Sequence, residues 1–550
     1  MFSTAMDGHT TPTRTENRDP SLPTTKSSLV DAFFKLCRGI PFAEVESKVV
    51  GLFEGLSEEE KKEMCEDAFV LWANTRDVRG GKGEREIGNW VFIVLCGMFP
   101  ELGMQMCEFV PEFGSWKDVF LLMVNGEMTE EIRKVLLDRA VLQLKEDENG
   151  NSPSLCAKWA PREKKGTENK LVKWLAGALF PESAQPLANY RKLVVGINKR
   201  LGTVEILMAG NEWSRISPGS VPSQCLNLHR KAFLNTNPSK RAKTTASTND
   251  RIQCASNFTQ HALLAVSDPS KANVHGRVLH PHKMVKPYMH PAAQANVLLE
   301  AQWTDLRERL REEMPNLGKM VPICDVSGSM TGEPMEVAIA LSLLVSELSL
   351  IPDRFITFAA DPQWHKLEPN SSLREKVRSA MKAKWGMNTN FQKALELILD
   401  ACVEGNVPPI EVGQLSLVVF SDMQFDAAVS GSSYGQTQPQ GVWDTQYERL
   451  VKSFAKAGLA SKWKEAYPVP QVVFWNLRGE IRDFPVHATT PGVACVSGFS
   501  PNLLKAFMQG ATAPAGEAQM APTPAEVLRA VLDDPRYQGV RDICAECGPR

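Results

Sequence analysis

Long apolar segments are missing from this sequence. The apolar run Trp90–Met98 has nine residues, whereas a transmembrane helix needs about 20, and no other run reaches about 18. The first 25 residues are polar, rich in Thr and Pro, and have no apolar signal core. The sequence therefore predicts no membrane partner, a disordered tail over 1–26, and a cytoplasmic or nuclear location.

The 12 cysteines form no regular disulfide or zinc framework. They stand singly inside apolar runs, as Cys37 and Cys324 do, which is typical of reduced, buried thiols. The one Cys-x-x-Cys pair, Cys544 and Cys547, has no second pair at zinc-like spacing. The His280-Pro-His282 segment also lacks a third ligand, so we expect a polar loop or a phosphate contact there instead of a metal site.

Signatures of common enzyme classes are also missing. Gly80–Arg85 (Gly-Gly-Lys-Gly-Glu-Arg) resembles a phosphate loop only in part, because Lys82 is followed by Gly83 where a Walker loop needs Ser or Thr. We predict a turn between helices there. No Gly-x-Ser-x-Gly elbow surrounds Ser327 or Ser329, so a serine hydrolase is not indicated.

The net charge of −2 hides an uneven distribution. Residues 151–300 carry 21 Lys and Arg against 8 Asp and Glu, and the rest of the chain is correspondingly acidic. Such local positive charge attracts phosphate backbones. Three basic pairs form either one basic helical face or an ordinary solvated surface: Lys164-Lys165, Arg191-Lys192 and Lys199-Arg200. Three tryptophans are either base-stacking platforms or core residues: Trp159, Trp174 and Trp213.

The spacing of apolar residues changes once along the chain. Residues 27–315 show helical periodicity, interrupted by a polar, basic loop over 236–256. From Lys319, near-continuous apolar strands alternate with helices, which is typical of a parallel sheet covered on both faces. The expected strands are 320–325, 354–359, 415–422, 471–477 and 492–497. The predicted fold class is α + α/β: an all-α region, then a doubly wound parallel-sheet domain over 316–540 and a tail over 541–550.

A group of oxygen-bearing side chains follows the first predicted strand. Asp325, Ser327 and Ser329 lie at i, i+2 and i+4 on the loop before a helix, so their oxygens can converge beside the helix amides. Thr389 precedes a later helix, and Asp422 ends a later strand. Two carboxylates and three hydroxyls, with no sulfur or imidazole, favour a hard cation such as Mg²⁺. Neutral hydroxyls quench little of its charge, so a partner's carboxylate or phosphate could complete the shell.

This order of Asp-x-Ser-x-Ser, Thr loop and Asp loop resembles the metal-ion-dependent adhesion site (MIDAS) of von Willebrand A domains. The resemblance covers about 319–540 and implies these metal ligands: Asp325, Ser327, Ser329, Thr389 and Asp422. A phosphatase of the Asp-x-Asp type is disfavoured, because Ser327 stands where the second carboxylate would protonate the leaving group.

Motifs in the N-terminal half carry a second resemblance. They are Arg76–Arg85 (Arg-Asp-Val-Arg-Gly-Gly-Lys-Gly-Glu-Arg), Phe113–Asp118 (Phe-Gly-Ser-Trp-Lys-Asp), Lys158–Lys164 (Lys-Trp-Ala-Pro-Arg-Glu-Lys), Asn211–Ser214 (Asn-Glu-Trp-Ser) and Leu279–Lys283 (Leu-His-Pro-His-Lys). They resemble an uncharacterised family of plants, fungi and large DNA viruses (domain of unknown function 2828), in which helices precede an A-type domain. Its architecture is similar to that of the Ro (TROVE) ribonucleoprotein, where a ring of HEAT-like helices binds small RNAs. The resemblance implies a HEAT-like region but assigns no RNA contact to individual residues.

We therefore predict a divalent-cation-dependent binding protein, not an enzyme, with Mg²⁺ as its cofactor. The leading hypothesis is Ro-like binding of structured RNA by the basic helical region, with the MIDAS in the A-type domain. The alternative is a protein–protein adaptor whose acidic partner donates a carboxylate to the metal. A Mg²⁺-dependent phosphoesterase is a weaker alternative.

Overall fold

The chain forms two compact units in a computed structural model. The sheet unit comprises residues 1–41 and 279–533, and the helical unit comprises residues 42–278 and 534–550. The structure describes residues 13–14, 20–163, 167–236, 248–315, 317–358, 362–382, 391–423, 446–479, 484–505 and 522–547. Within these ranges, no helix has both the length and the apolar character to cross a membrane.

The elements are numbered in chain order. The first helices are α1 (Ser28–Lys35), α2 (Phe42–Gly51), α3 (Glu58–Arg76), α4 (Arg85–Met98), α5 (Pro100–Met106), α6 (Trp116–Val124), α7 (Glu130–Asn149), α8 (Cys156–Trp159), α9 (Thr167–Leu179), α10 (Pro186–Leu201), α11 (Val204–Ala209), α12 (Ser223–Phe233) and α13 (Asn249–Ser267). The later helices are α14 (His282–Met289), α15 (Val297–Glu313), α16 (Glu333–Leu348), α17 (Leu373–Ala380), α18 (Phe391–Glu404), α19 (Pro409–Val412), α20 (Gln446–Ala460), α21 (Pro524–Leu532) and α22 (Gln538–Cys547). The strands of the main sheet are β1 (Lys319–Asp325), β2 (Arg354–Phe358), β3 (Gln363–Lys366), β4 (Leu415–Ser421), β5 (Gln471–Asn476) and β6 (Val493–Ser497).

The six strands form one sheet in the order β3-β2-β1-β4-β5-β6. Five of them run parallel, and β3 pairs antiparallel with β2 at the edge. The α/β layout is as predicted, but the expectation of an all-parallel sheet is wrong at β3. Only four residues, 359–362, connect β2 to β3, whereas a parallel crossover needs about a dozen, so the chain returns antiparallel.

The inner strands are buried because helices cover the sheet. Val321, Ile323 and Leu417 share a core with side chains of α18 and α20, and α16 packs against β1. Pro322 is tolerated in this central strand because pairing with β2 begins only at Ile323, so at Pro322 the strand pairs with β4 alone.

The sheet order determines where a ligand can bind. From β1 the chain proceeds to β2 on one side, whereas from β4 it proceeds to β5 on the other side. The loops after β1 and β4 therefore diverge and leave a crevice at the carboxyl edge, which is where doubly wound sheets bind ligands.

The helical unit is built around a buried aromatic cluster. Trp72 of α3 stacks on Phe92 of α4 with ring centroids 4.5 Å apart, and the Phe113 ring contacts Trp72 in an edge-to-face arrangement. Helix α3 begins at a capping box with Ser57 as N-cap and Glu60 as its partner. Helix α22 packs against α3 and α5 in this unit, so residues 541–547, expected in a tail, are helical.

Two further segments differ from expectation. Residues 249–256, expected in the basic loop, are helical because the Thr248 side chain accepts a hydrogen bond from the Arg251 amide and caps α13. Residues 20–26, expected in the N-terminal tail, contact the sheet unit: Leu22 pairs with Phe484. Contacts also group α14 and α15 with the sheet unit, although the sequence placed the start of the sheet domain at residue 316.

Candidate functional site

The predicted ligands meet at the carboxyl edge of the sheet. Asp325 is the last residue of β1, and Asp422 directly follows β4, the strand beside it. Both side chains are buried. Ser327 and Ser329 lie on the loop after β1. Four of the five predicted ligand residues are therefore close to this crevice, and Thr389 lies outside the described residues.

The loop after β1 folds back on itself. The Ser327 amide donates to Asp325 Oδ1 at 2.9 Å, and the hydroxyls of Ser327 and Ser329 are 3.0 Å apart. A short 3₁₀ turn, Gly328–Met330, places the Ser329 hydroxyl beside the Ser327 hydroxyl. The i, i+2, i+4 spacing therefore does bring these oxygens together, as the sequence predicted.

The turn after β4 is held in an unusual conformation. Met423 has φ of +62°, a left-handed conformation that non-glycine residues rarely adopt. Its amide donates to the Ser421 hydroxyl at 3.0 Å, and that hydroxyl donates to Asp325 Oδ2 at 2.6 Å. Ser421, which the sequence analysis missed, thus connects the two loops of the site.

The electrostatics of this crevice favour a cation. Burial raises the pKa of Asp325 above its ordinary value, the neighbouring Asp422 carboxylate raises it as well, and hydrogen bonds from Ser327 and Ser421 oppose the shift. Two carboxylates that share a buried site repel each other, and a divalent cation between them would remove that cost. Their oxygens, together with the two serine hydroxyls, are the ligand type that Mg²⁺ accepts, so the residues present fit this ion.

Arg478 is a second residue that the sequence analysis missed. It follows β5, and its Nη1 donates to the Ser329 carbonyl at 3.0 Å and lies 3.9 Å from Asp422 Oδ2. A polar residue just beyond a predicted strand was the available signal, because the carboxyl ends of parallel strands share one edge.

A cluster of basic side chains surrounds the start of α16. Glu333 Oε1 lies 2.9 Å from Arg38 Nη1, 3.0 Å from Lys283 Nζ and 3.1 Å from His282 Nε2. The hydrogen bond from His282, together with Arg38 and Lys283, holds the pKa of Glu333 well below its ordinary value. Burial lowers the pKa of His282 to about 4. The His280-Pro-His282 segment therefore contacts this carboxylate.

The glycine-rich segment and the Cys-x-x-Cys pair both lie in the helical unit. Gly80–Arg85 connects α3 to α4, as predicted, and Lys82 within it is fully buried. Cys544 and Cys547 lie on α22. Within the described part of the chain, no cluster of three or more His, Cys, Asp or Glu could hold a metal; the crevice at Asp325 has a different composition, two carboxylates and hydroxyls.

Helix α10 carries two of the three basic pairs considered from the sequence. Four basic residues are exposed along it: Arg191, Lys192, Lys199 and Arg200. Lys192 and Arg200 also line a cavity of about 450 Å³ whose walls include Phe180 and Leu193. Lys164 and Lys165 lie outside the described residues.

None of the three tryptophans considered for base stacking is fully buried. The guanidinium of Arg251 lies 3.7 Å from the ring centroid of Trp213, and amines of Lys170 and Lys117 lie near Trp174 and Trp159. Each ring thus already has a cationic neighbour.

Comparisons with known proteins find similarity to a domain of unknown function and to an uncharacterised viral protein. Residues 319–531 match a domain of unknown function (DUF7788). The chain is also similar to the uncharacterized protein L728 of Acanthamoeba polyphaga mimivirus, with 29% identity over 520 residues, covering 90% of this chain and 84% of the viral protein. The matched domain contains all six strands and the crevice. Neither match carries a von Willebrand A or Ro description, so those resemblances stay predictions.

Proposed function

We propose that the chain is a divalent-cation-dependent binding protein whose sheet unit holds Mg²⁺ in the manner of a von Willebrand A domain. The ligands are Asp325, Ser327, Ser329 and Asp422, together with Thr389, which lies outside the described residues. The observation that carries the proposal is that two buried carboxylates, Asp325 and Asp422, follow the adjacent strands β1 and β4, where the connecting loops diverge and leave a crevice.

The ligand set favours binding over hydrolysis. The bound ion supplies positive charge that attracts an acidic group of a partner protein. Ser327 keeps its hydroxyl beside that of Ser329, where a phosphatase would need a carboxyl group to protonate a leaving group. The protein therefore acts as an adaptor whose partner contributes a carboxylate, and it is not an enzyme.

Calorimetric titration with Mg²⁺ tests the site. We expect the wild type to bind one Mg²⁺ and Asp325→Asn to bind none, because the amide cannot supply the charge that holds the ion. Glu411→Gln is the matched control, since Glu411 lies near Lys319 at the opposite end of β1. Absence of Mg²⁺ binding in the wild type, or equal binding by Asp325→Asn, would refute the proposal.

A second candidate function is RNA binding by the helical unit, in the manner of the HEAT-like region of Ro proteins. The four exposed basic residues along α10 favour it. Each phosphate contact contributes about −0.7 to −0.9 to the slope of log affinity against log salt concentration.

The RNA hypothesis is tested with a structured hairpin RNA titrated over a range of salt concentrations. The double variant Lys192→Gln/Lys199→Gln should bind more weakly, with a slope shallower by about 1.4 to 1.8. Lys62→Gln/Lys134→Gln removes two exposed lysines from other helices of the unit and serves as the control. Affinity that does not depend on salt, or equal slopes in all three proteins, rules out this role for α10.

A further inference from the structure

A cavity of about 450 Å³ lies in the helical unit, along helix α10. Ligand pockets of proteins have volumes of about 300–1,000 Å³, so this one has room for a small organic group. Phe180, which follows α9, and Glu148, in the last turn of α7, form two of its walls. The remaining lining residues follow helical spacing and therefore share one face of α10: Asn189, Lys192, Leu193, Gly196, Ile197 and Arg200.

The lining of this cavity has an apolar part and a polar part. Leu193 and Ile197 are buried, and Phe180 is half-buried. The polar part consists of one amide, two cations and one carboxylate, from Asn189, Lys192, Arg200 and Glu148. A ligand that fits this lining therefore has an apolar surface, an anionic group, and hydrogen-bonding groups that match an amide and a carboxylate.

Hydrogen bonds fix the two ends of the cavity. At one end, the Ser183 hydroxyl accepts from Asn189 Nδ2 at 2.9 Å, and the Ser183 amide donates to the Phe180 carbonyl at 3.2 Å. At the other end, the guanidinium of Arg200 donates to the Asp147 carbonyl in α7. Because these groups are already held in place, they lose little freedom when a ligand binds.

Gly196 marks the open part of the cavity. It lies in the interior of α10, where glycine weakens a helix relative to alanine. A Cβ at this position would meet nothing within 4 Å, so close packing against the protein does not explain the glycine. Since Gly196 lines the cavity, the missing side chain leaves space for a ligand beside the helix backbone.

We propose that this cavity binds one unpaired nucleotide of an RNA. The inference deepens the second candidate function, RNA binding by the helical unit, and rests on it. An unpaired base can stack on the Phe180 ring, as single-stranded bases do on aromatic side chains, while Lys192 binds its phosphate. The edge of the base has donors and acceptors for Asn189 and Glu148. A fatty acid would match the apolar part but has no donor for the Glu148 carboxylate.

Two blunt-ended RNA duplexes labelled with fluorescein test the proposal. One carries a single bulged adenosine, and the other carries an abasic nucleotide at the bulge. Both have the same number of phosphates, so only the base differs. The wild type should bind the adenosine duplex about 5- to 100-fold more tightly, which is the contribution of one stacked base. Fluorescence anisotropy at several salt concentrations measures both affinities.

Filling the cavity should remove this preference for the base. Gly196→Leu occupies the open space without removing a charge, so the slope of log affinity against log salt concentration should stay at the wild-type value. Gly97→Leu is the matched control, because Gly97 is an exposed glycine of α4 whose Cβ would also meet nothing within 4 Å. It should keep the preference. Both variants should resist urea at least as well as the wild type, because leucine favours a helix more than glycine does.

Two variants of Phe180 test the stacking surface. Phe180→Leu keeps an apolar side chain but loses the aromatic ring, so the preference for the adenosine duplex should fall severalfold. Phe180→Tyr keeps a ring and should retain the preference. An equal preference in Phe180→Leu and the wild type would contradict stacking in the cavity.

The outcomes separate this inference from the function on which it rests. Equal affinity of the wild type for the two duplexes, or a preference that Gly196→Leu retains, would overturn the nucleotide site even where salt-dependent RNA binding persists. The inference is also wrong if adenosine 5′-monophosphate binds as tightly as the bulged duplex, because the ligand would then be a free nucleotide. If neither duplex binds the wild type, the RNA-binding function itself fails, and the nucleotide site fails with it.

Discussion

The hydroxyl of Ser421, the last residue of β4, donates a 2.6 Å hydrogen bond to Oδ2 of Asp325, the last residue of β1. The same hydroxyl accepts from the Met423 amide, so it fixes the Asp325 carboxylate and the turn that carries Asp422 at once. One side chain therefore determines the geometry between the two charged ligands of the candidate site.

Replacing this hydroxyl should weaken the metal site without removing a ligand. We expect Ser421→Ala to lower Mg²⁺ affinity by about 10-fold, because groups that orient a metal ligand typically contribute 10- to 100-fold. Calorimetric titration measures the change. Ser416→Ala, at the other end of the same strand, removes a hydroxyl that donates to Gln471 Oε1 and should leave Mg²⁺ affinity unchanged; equal losses in both variants would contradict the prediction.

The helical unit depends on a buried ion pair. Asp118 accepts from Arg76 Nη2 at 2.6 Å and from the Ser115 hydroxyl at 2.7 Å, and Arg85 Nε lies 3.0 Å away. We expect Asp118→Ala to lower the free energy of unfolding by about 3–5 kcal/mol, because it leaves the buried Arg76 without its counter-ion. Urea denaturation followed by circular dichroism measures this loss.

An exposed ion pair provides the comparison for Asp118. Glu130 pairs with Arg133 within α7, and its side chain is 82% exposed. Glu130→Ala should change the free energy of unfolding by no more than about 1 kcal/mol. Similar losses in the two variants would mean that the buried pair adds nothing beyond an ordinary surface pair.

Two glycines of the helical unit should respond to alanine in opposite directions. A Cβ on Gly81 would lie 2.0 Å from the Asn74 carbonyl oxygen, which is backbone and cannot rotate away. Gly81→Ala should therefore lower the free energy of unfolding by at least about 1–3 kcal/mol.

At Gly177 of α9, a Cβ would meet nothing within 4 Å. Gly177→Ala should raise the free energy of unfolding by up to about 1 kcal/mol, because alanine is the better helix former. Thermal melts of both variants check the pair, and a neutral Gly81→Ala would contradict the close approach of the loop after α3 to Asn74.

The sequence was most informative where the chemistry is local. Asp325, Ser327 and Ser329 lie within five residues, so their convergence follows from loop geometry, and Asp422 could be added because it ends an apolar strand. Arg478 also follows an apolar strand, but that position alone did not show which loop it contacts. Its contact with Ser329 spans 149 residues and exists only because β5 lies beside β4 in the sheet.

Long-range pairing also explains the segments that differ from expectation near the N-terminus. The Ser497 hydroxyl donates to the Phe33 carbonyl, and Asn476 Nδ2 donates to the Phe34 carbonyl. These contacts join α1 to the ends of β5 and β6 within the sheet unit. A polar, Thr-rich composition carries no information about partners more than 400 residues away, so the sequence predicted only a tail and helices there.

The histidines beside Glu333 should make the sheet unit sensitive to acid. Burial, with Arg38 as a smaller cause, lowers the pKa of His282 to about 4 and that of His280 to about 3. An unfolded histidine has a pKa of about 6.5. Between these values the unfolded chain binds protons that the folded chain excludes, so stability is full above pH 6.5 and falls as the pH decreases, by up to about 1.4 kcal/mol per pH unit for each proton.

The lowered pKa of Glu333 adds a further loss at lower pH. Its unfolded value is 4.5, and below that pH the unfolded chain gains a proton that the folded Glu333, paired with Arg38 and Lys283, does not take. Stability from this group is present above 4.5 and is lost as the pH falls. Of these three groups, only the histidines contribute to the loss between pH 6.5 and 4.5, and Glu333 adds to it below 4.5.

Replacing one histidine should therefore flatten the upper window most. We expect His282→Asn to reduce the loss of unfolding free energy between pH 6.5 and 4.5 by up to about 1.4 kcal/mol per pH unit, because one excluded proton is gone. Below 4.5 it should reduce the Glu333 loss only in part, because Arg38 and Lys283 still contact that carboxylate. Urea denaturation across this pH range measures both slopes. His290→Asn replaces an exposed histidine at the end of the same helix and should follow the wild type. If His282→Asn also follows the wild type in the upper window, the buried ring is not the group that excludes the proton.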